Sequence, residues 1–218
     1  MERVVIYGVG SPIVVDFQES LERAGIRVAA AVRNLPCDVY LLPNTPFIEP
    51  TQLTAEQLAF PFLVPFFTPA NRQRAAREAF GIGFRAAFSL MDPTVPRPRS
   101  LVHGQGLFVN AGCTLGAACE FDEFVFLNRA VSVGHHVKCG AFVSIGPGAV
   151  IAGSVKIGRG SVIGAGAVVL PELSIGSNSV VGAGAVVTKD VPDHCMVLGA
   201  SAKISQTQIA GFKDQTVT

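Results

Sequence analysis

His135 and His136 stand side by side in the hexapeptide VGHHVK, residues 133–138, and imidazole is the side chain whose ordinary pKa lets it take and return a proton near neutral pH. Two such rings projecting from a packed scaffold can include a general base for attack by an amine or hydroxyl on an acyl donor. Spacing alone does not choose between the two, and a pair of solvated surface histidines is the competing reading. His103 and His194 read as structural or exposed. The five cysteines, Cys37, Cys113, Cys119, Cys139 and Cys195, lack paired metal-ligand spacing, so no metal is expected. Cys113, Cys119 and Cys139 fall where a thiol serves as a small apolar filler.

A second possible site lies near the start of the chain. There the apolar run VVIY is followed by Gly8, Val9, Gly10, Ser11 and Pro12. A glycine turn between a strand and a helix can aim backbone N–H groups at a phosphate. Only two glycines of the dinucleotide fingerprint are present, and Arg33 and Asn34 occupy the end of the second strand where an acidic residue would hold a ribose, which argues against NAD. Asn71, Arg72 and Arg74 could meet an anionic substrate, or they could form an exposed helix face.

The elements that must hold these residues are set by a period of six. Val109, Leu115, Phe121, Leu127, Val133, Cys139, Ile145, Ile151, Ile157, Ile163, Val169, Ile175, Val181 and Val187 are all apolar, and glycine follows eight of them. Neither the 3.6-residue helix nor the two-residue strand repeats every six. A chain that turns a corner after each short strand does, and three hexads close one triangular coil of about 18 residues that stacks on the next. His135 and His136 are the third and fourth residues of their hexad, which are corner positions facing outward. With charged residues at 15% and mean hydropathy at +0.44, the flat outer faces of such a prism are apolar enough to predict association, here as a homotrimer of parallel prisms.

The expected organisation is a small Rossmann-like α/β domain (1–88), a proline-rich linker (89–100), a parallel β-helix with a C-terminal cap (101–204) and a polar, disordered tail (205–218). In the first domain, strands are expected at residues 4–7, 28–32, 38–42, 62–66 and 85–88, with helices from the glycine turn to about residue 24 and over 71–80. A net charge of +1 with no basic cluster excludes a nucleic-acid partner. The sequence shows neither a signal-peptide pattern nor an apolar run of about 18 residues, so a cytoplasmic protein without a membrane partner is expected.

The histidine hexad and the coils IGAGAVV and VGAGAVVTKDVP resemble the sialic acid O-acetyltransferase NeuD / PglD family of bacterial acetyl-CoA-dependent sugar acetyltransferases, over nearly the whole chain. The resemblance implies a left-handed winding and an acetyl-CoA co-substrate. It also implies transfer of the acetyl group to an amine or hydroxyl of a sugar or nucleotide-sugar, with His135 as base. Acetyl-CoA contacts carry over to Ser144, Gly153, Ala165 and Ala183 along one seam, and substrate contacts to Gly10, Ser11 and Pro12, joined by His136. The family's Glu-His-Asp-Cys is here Gly134, His135, His136 and Val137. A second family histidine is Ser144, and an acidic pair that reads a nucleotide base is Arg33 and Asn34. Asp122 or Glu123 of a neighbouring copy could supply the missing carboxylate. The alternative favoured by Gly134 and Ser144 is a non-catalytic trimer acting as a binding or scaffold protein.

Overall fold

A computed structural model describes residues 2–218. The chain opens with β1 (Arg3–Tyr7), α1 (Val14–Arg23), β2 (Arg27–Val32), β3 (Phe47–Ile48), α2 (Ala55–Ala59), β4 (Phe62–Leu63) and α3 (Pro69–Gly81). The four strands pair in parallel in the order β3-β2-β1-β4, as in the first half of a doubly wound sheet. The expected strand at 38–42 is absent. Its segment is flanked by Pro36 and Pro43, and the Leu42 N–H is taken by Gln18 Oε1 at 2.8 Å. Phe47 and Ile48 fill the edge position instead. Pro65 stops the expected 62–66 strand after Leu63, and residues 85–88 contribute only the bridge of Ala87 to Phe62.

From residue 102 onward, two-residue strands recur every six residues, and each pairs with the strand 18 residues away. The result is a left-handed parallel β-helix with three sheets. Thirteen of the fourteen hexad residues are buried, and Leu115 packs partly buried against the same core. Residues one position before the hexad point outward and give each face its character. One face presents Thr114, Ser132, Val150, Val168 and Val186, and we call it the aliphatic face. The charged face presents Glu120, Lys138 and Lys156. The third, with Phe108, Phe126 and Ser144, is covered by the first domain.

That cover is continuous with both cores. Phe17 of α1 stacks on Phe108 with ring centroids 3.7 Å apart, and Phe124 and Phe142 join Tyr7, Phe62 and Ala79 in one cluster. The segment expected to be a linker is part of the prism: β5 (Leu90–Met91) pairs with Phe108–Val109 as an extra first rung. The prolines at 93, 96 and 98 follow this rung and do not prevent it. Asp92, just after it, is buried and accepts hydrogen bonds from Ser20, Arg23 and Thr94. Burial alone would lift its carboxyl, but these bonds outweigh burial and hold it at about 2.

The tail at 205–218 is also packed. Val217 is buried and exchanges backbone hydrogen bonds with the Asn178 side chain, while Gln73 and Arg77 of α3 donate to Thr218. At the far end of the prism, Met196–Leu198 adds a last parallel rung, and Lys203–Gln206 folds back antiparallel on it. Asp190 and Asp193 accept the backbone N–H groups of Ser174, in the last named strand of the charged face, and of Ser177, in the turn that follows it.

Candidate functional site

His135 and His136 sit on the edge where the chain passes from the aliphatic face to the charged face, and both are exposed. Their backbone is clamped from both neighbouring coils: the His136 N–H donates to Ala117 O at 2.9 Å, and the Ser154 N–H donates to His135 O at 2.8 Å. His136 takes a left-handed backbone, φ 57°. The two Nδ1 atoms are 3.0 Å apart, and the rings stand at 83° to one another. Beneath the His135 ring lies Gly153, where a Cβ would come within 2.8 Å of Cε1 and 2.9 Å of Nε2. Gly153 therefore provides the floor on which the imidazole rests. Gly134 is explained by the same stacking, because a Cβ there would stand 2.6 Å from the backbone nitrogen of Gly153.

The remaining acetyl-CoA positions do not share this edge. Ala165 and Ala183 are exposed on the corner where the chain leaves the domain-covered face for the aliphatic face. Gly153 and His135 are on the opposite margin of the aliphatic face. Within one chain, Gly153 and the two alanines therefore lie on two different edges. Ser144 departs more strongly from a single seam: it is fully buried, its hydroxyl donates to Phe67 O at 2.6 Å, and it accepts from Arg72 at 3.0 Å. It belongs to the domain junction. Asp122 and Glu123 lie on the third corner, between the charged and domain-covered faces.

Arg72 is the reason Ser144 is occupied. It is 2% exposed and donates to the carbonyls of Phe66, Phe67, Phe124, Phe142 and Val143 as well as to Ser144. Desolvation pushes its guanidinium down to about 9, still protonated at neutral pH. An arginine read from sequence as a candidate anion contact is thus a bolt between the two domains.

The first domain keeps a pocket of its own at the C-terminal ends of β1 and β4, where the strand order reverses and open α/β sheets bind ligands. Its walls include Gly10, Asn34, Cys37, Phe66, Asn71 and Arg74. Ser11 and Pro12 form the turn into α1 beside it, with Ser11 O accepting from Val14 N. Arg74 is exposed, hydrogen-bonded only to Asn71, and supplies a cation at the rim. Arg33 is engaged with Glu49, and Asn34 donates to Glu78 at 2.7 Å. Among the described residues no cluster of His, Cys, Asp and Glu could hold a metal ion, and no helix is long and apolar enough to cross a membrane.

The bacterial transferase hexapeptide (six repeats) family matches residues 136–171 and 156–189. No curated protein matches the chain. Among solved structures, PerB from Caulobacter crescentus in complex with CoA and GDP-perosamine is 29% identical, over 94% of this chain and 98% of that one, with a TM-score of 0.83. Histidine-to-asparagine and histidine-to-alanine mutants of that perosamine N-acetyltransferase match equally well. The acetyltransferase domain of PglB from Neisseria gonorrhoeae, in complex with acetyl coenzyme A, is 28% identical over 93% of this chain and 98% of that one, with a TM-score of 0.81. WeeI from Acinetobacter baumannii, 21% identical over 94% and 100% of the two chains with a TM-score of 0.77, shares the fold. The repeat and the fold define a hexapeptide-repeat transferase. Its pairing of a Rossmann-like domain with the prism is shared with these solved sugar acetyltransferases, which are of the NeuD/PglD type.

Proposed function

We propose that the protein transfers an acetyl group from acetyl-CoA to an amine or hydroxyl of a nucleotide-linked sugar, with His135 as general base. The observation that carries this is the His135 edge: an exposed imidazole clamped by two coils, resting on Gly153, with one ring nitrogen engaged and Nε2 free. The acceptor's nitrogen or oxygen attacks the thioester carbonyl, its proton passes to Nε2, and the CoA thiolate leaves. Gly153 beside the base and the small side chains Ala165 and Ala183 fit a pantetheine arm lying close to backbone. The pocket at Gly10, Asn71 and Arg74 suits the nucleotide portion, with Arg74 facing its phosphates. GDP-perosamine and CoA bound by the Caulobacter relative, and acetyl coenzyme A bound by the Neisseria one, support both assignments.

The same geometry supports a homotrimer. His135 with Gly153, and Ala165 with Ala183, occupy opposite margins of one aliphatic face in each chain, so packing of these faces between copies would bring the two margins together. Gly134 and Ser144, the residues that favour a scaffold, have structural reasons here: coil contact at one and the Arg72 bolt at the other. The test is calorimetry with acetyl-CoA together with turnover of His135→Ala, using GDP-perosamine as the first acceptor tried. Binding with loss of turnover of about 100-fold or more supports the reading. Absence of acetyl-CoA binding, or turnover unchanged in His135→Ala, overturns it. Sedimentation of Val168→Asp tests the trimer, which should fall to monomers.

A further inference from the structure

We propose that His136 is the positioning residue of the base: its Nδ1 accepts the Nδ1–H of His135 and so fixes the tautomer in which His135 Nε2 is free to take the acceptor's proton. The inference rests on His135 as base and goes beyond it by assigning the partner. The two Nδ1 atoms, 3.0 Å apart, can share one proton between them. If that proton belongs to His135, its Nε2 carries the lone pair. If it belongs to His136, His135 must hold its proton on Nε2 and cannot act as base. The left-handed backbone of His136 and the clamps from Ala117 and Ser154 hold the main chain from which the two rings project.

Within the chain, the surroundings leave His136 as the available partner. The turn on one side of the pair is Gly116, Ala117 and Ala118, and that on the other is Ala152, Gly153 and Ser154, none of them titratable. Glu172 stands a further coil away on the same edge, and Lys138, on the strand that follows, is paired with Glu120 at 2.9 Å. A carboxylate orients histidine in many catalytic sites; here an imidazole occupies that place.

The proton balance is complete within the pair. The acceptor's proton goes to His135 Nε2, the Nδ1–H stays on His135 and remains donated to His136, and the Nε2 proton then leaves to the CoA thiolate or to water. A second proton on the pair would set two N–H groups against each other and break the bond, because neither ring brings a compensating negative charge. A carboxylate at 136 would instead stabilise the imidazolium. Asp also tolerates the left-handed backbone.

The experiment is ¹⁵N-histidine NMR of the intact protein, paired with kinetics of His136→Ala and His136→Asp using acetyl-CoA and GDP-perosamine. In the parent, His135 is expected in the Nδ1–H form, and in His136→Ala it should shift toward Nε2–H. For His136→Ala, kcat should fall about 10- to 100-fold, with KM for both substrates within about twofold. His136→Asp should recover most of kcat and move the acid limb of the pH profile upward by about one unit, since a facing carboxylate favours the protonated ring. An Nε2–H form of His135 in the parent, or parental kcat in His136→Ala, overturns the assignment, as does a loss in His136→Ala confined to KM. If His135→Ala is inactive while His136→Ala is unaffected, only this inference fails. If His135→Ala is fully active, the base assignment fails with it, and the NMR readout needs no acceptor.

Discussion

The Arg72 bolt makes a prediction that separates charge from shape. Of its six acceptors, Val143 O also receives the Phe126 N–H, and Phe67 O also receives the Ser144 hydroxyl. The carbonyls of Phe66, Phe124 and Phe142 have Arg72 as their donor. Leaving three buried carbonyls unpaired costs ~1–3 kcal/mol each, or ~3–9 kcal/mol in all. Removing the guanidinium also removes its desolvation, and the fall from 12.5 to about 9 corresponds to ~5 kcal/mol. Arg72→Met is therefore expected to lose only ~1 kcal/mol, the middle of the ~3–9 less the ~5. Arg72→Lys keeps a buried cation but brings three donors to six acceptors, and is expected to lose more, ~4 kcal/mol. At ~2–4 °C per kcal/mol for a chain of this size, the melting temperature should fall by ~2–4 °C for Met and ~8–16 °C for Lys. Denaturant titration of both variants gives the free energies, and hydrogen exchange around Phe142 to Ser144 locates the loss. A Lys variant as stable as the parent, or more stable than Met, would refute the view that planar multidentate bonding holds the junction.

Three other outcomes are expected. Gly153→Ala should displace the His135 ring, lowering turnover about 10- to 100-fold while leaving the melting temperature near that of the parent, as activity assays and calorimetry will show. Asp92 is held at about 2 against an ordinary 3.8, so its contribution is present above about pH 4 and lost as pH falls toward 2; Asp92→Asn should cost ~2 kcal/mol at neutral pH and flatten the acid limb of a stability-versus-pH curve. Burial pushes the Cys113 thiol up to about 11 and Cys139 higher still, and Cys119 and Cys195 are buried as well. Thiol titration of the native protein should therefore count one fast-reacting cysteine, the half-buried Cys37, and all five only after denaturation.

The prism was legible because its rule is local: one inward residue per six, tested fourteen times over. The histidine corner was legible for the same reason, since hexad phase alone says which residues face out. Where long-range contacts decide, the pattern falls silent. Met91 and His103 continue the phase of the hexads backward from Val109, but Arg97 interrupts it, which hides the extra rung formed by β5. Arg72 looks like its neighbour Arg74 in the sequence; only the approach of Phe124 and Phe142 from another domain makes one a buried bolt and the other an exposed cation. The distribution of Ala165 and Gly153 over two margins follows from counting hexads in threes, a signal present in the spacing and obscured by treating small residues as a single seam. His136 was readable as exposed, yet its bond to His135 depends on side-chain rotation that spacing does not encode.

The far end of the prism carries a consequence for how copies of this chain meet. A stack of parallel rungs is a template, and an uncovered final rung invites another chain to continue it, a head-to-tail contact that never closes and grows into filaments. The carboxylates of Asp190 and Asp193 occupy donors that such a newcomer would need, and the reversed strand Lys203–Gln206 presents the wrong polarity for continuation. Growth along the axis is thereby blunted, while the aliphatic faces at the side of the prism carry no such guard.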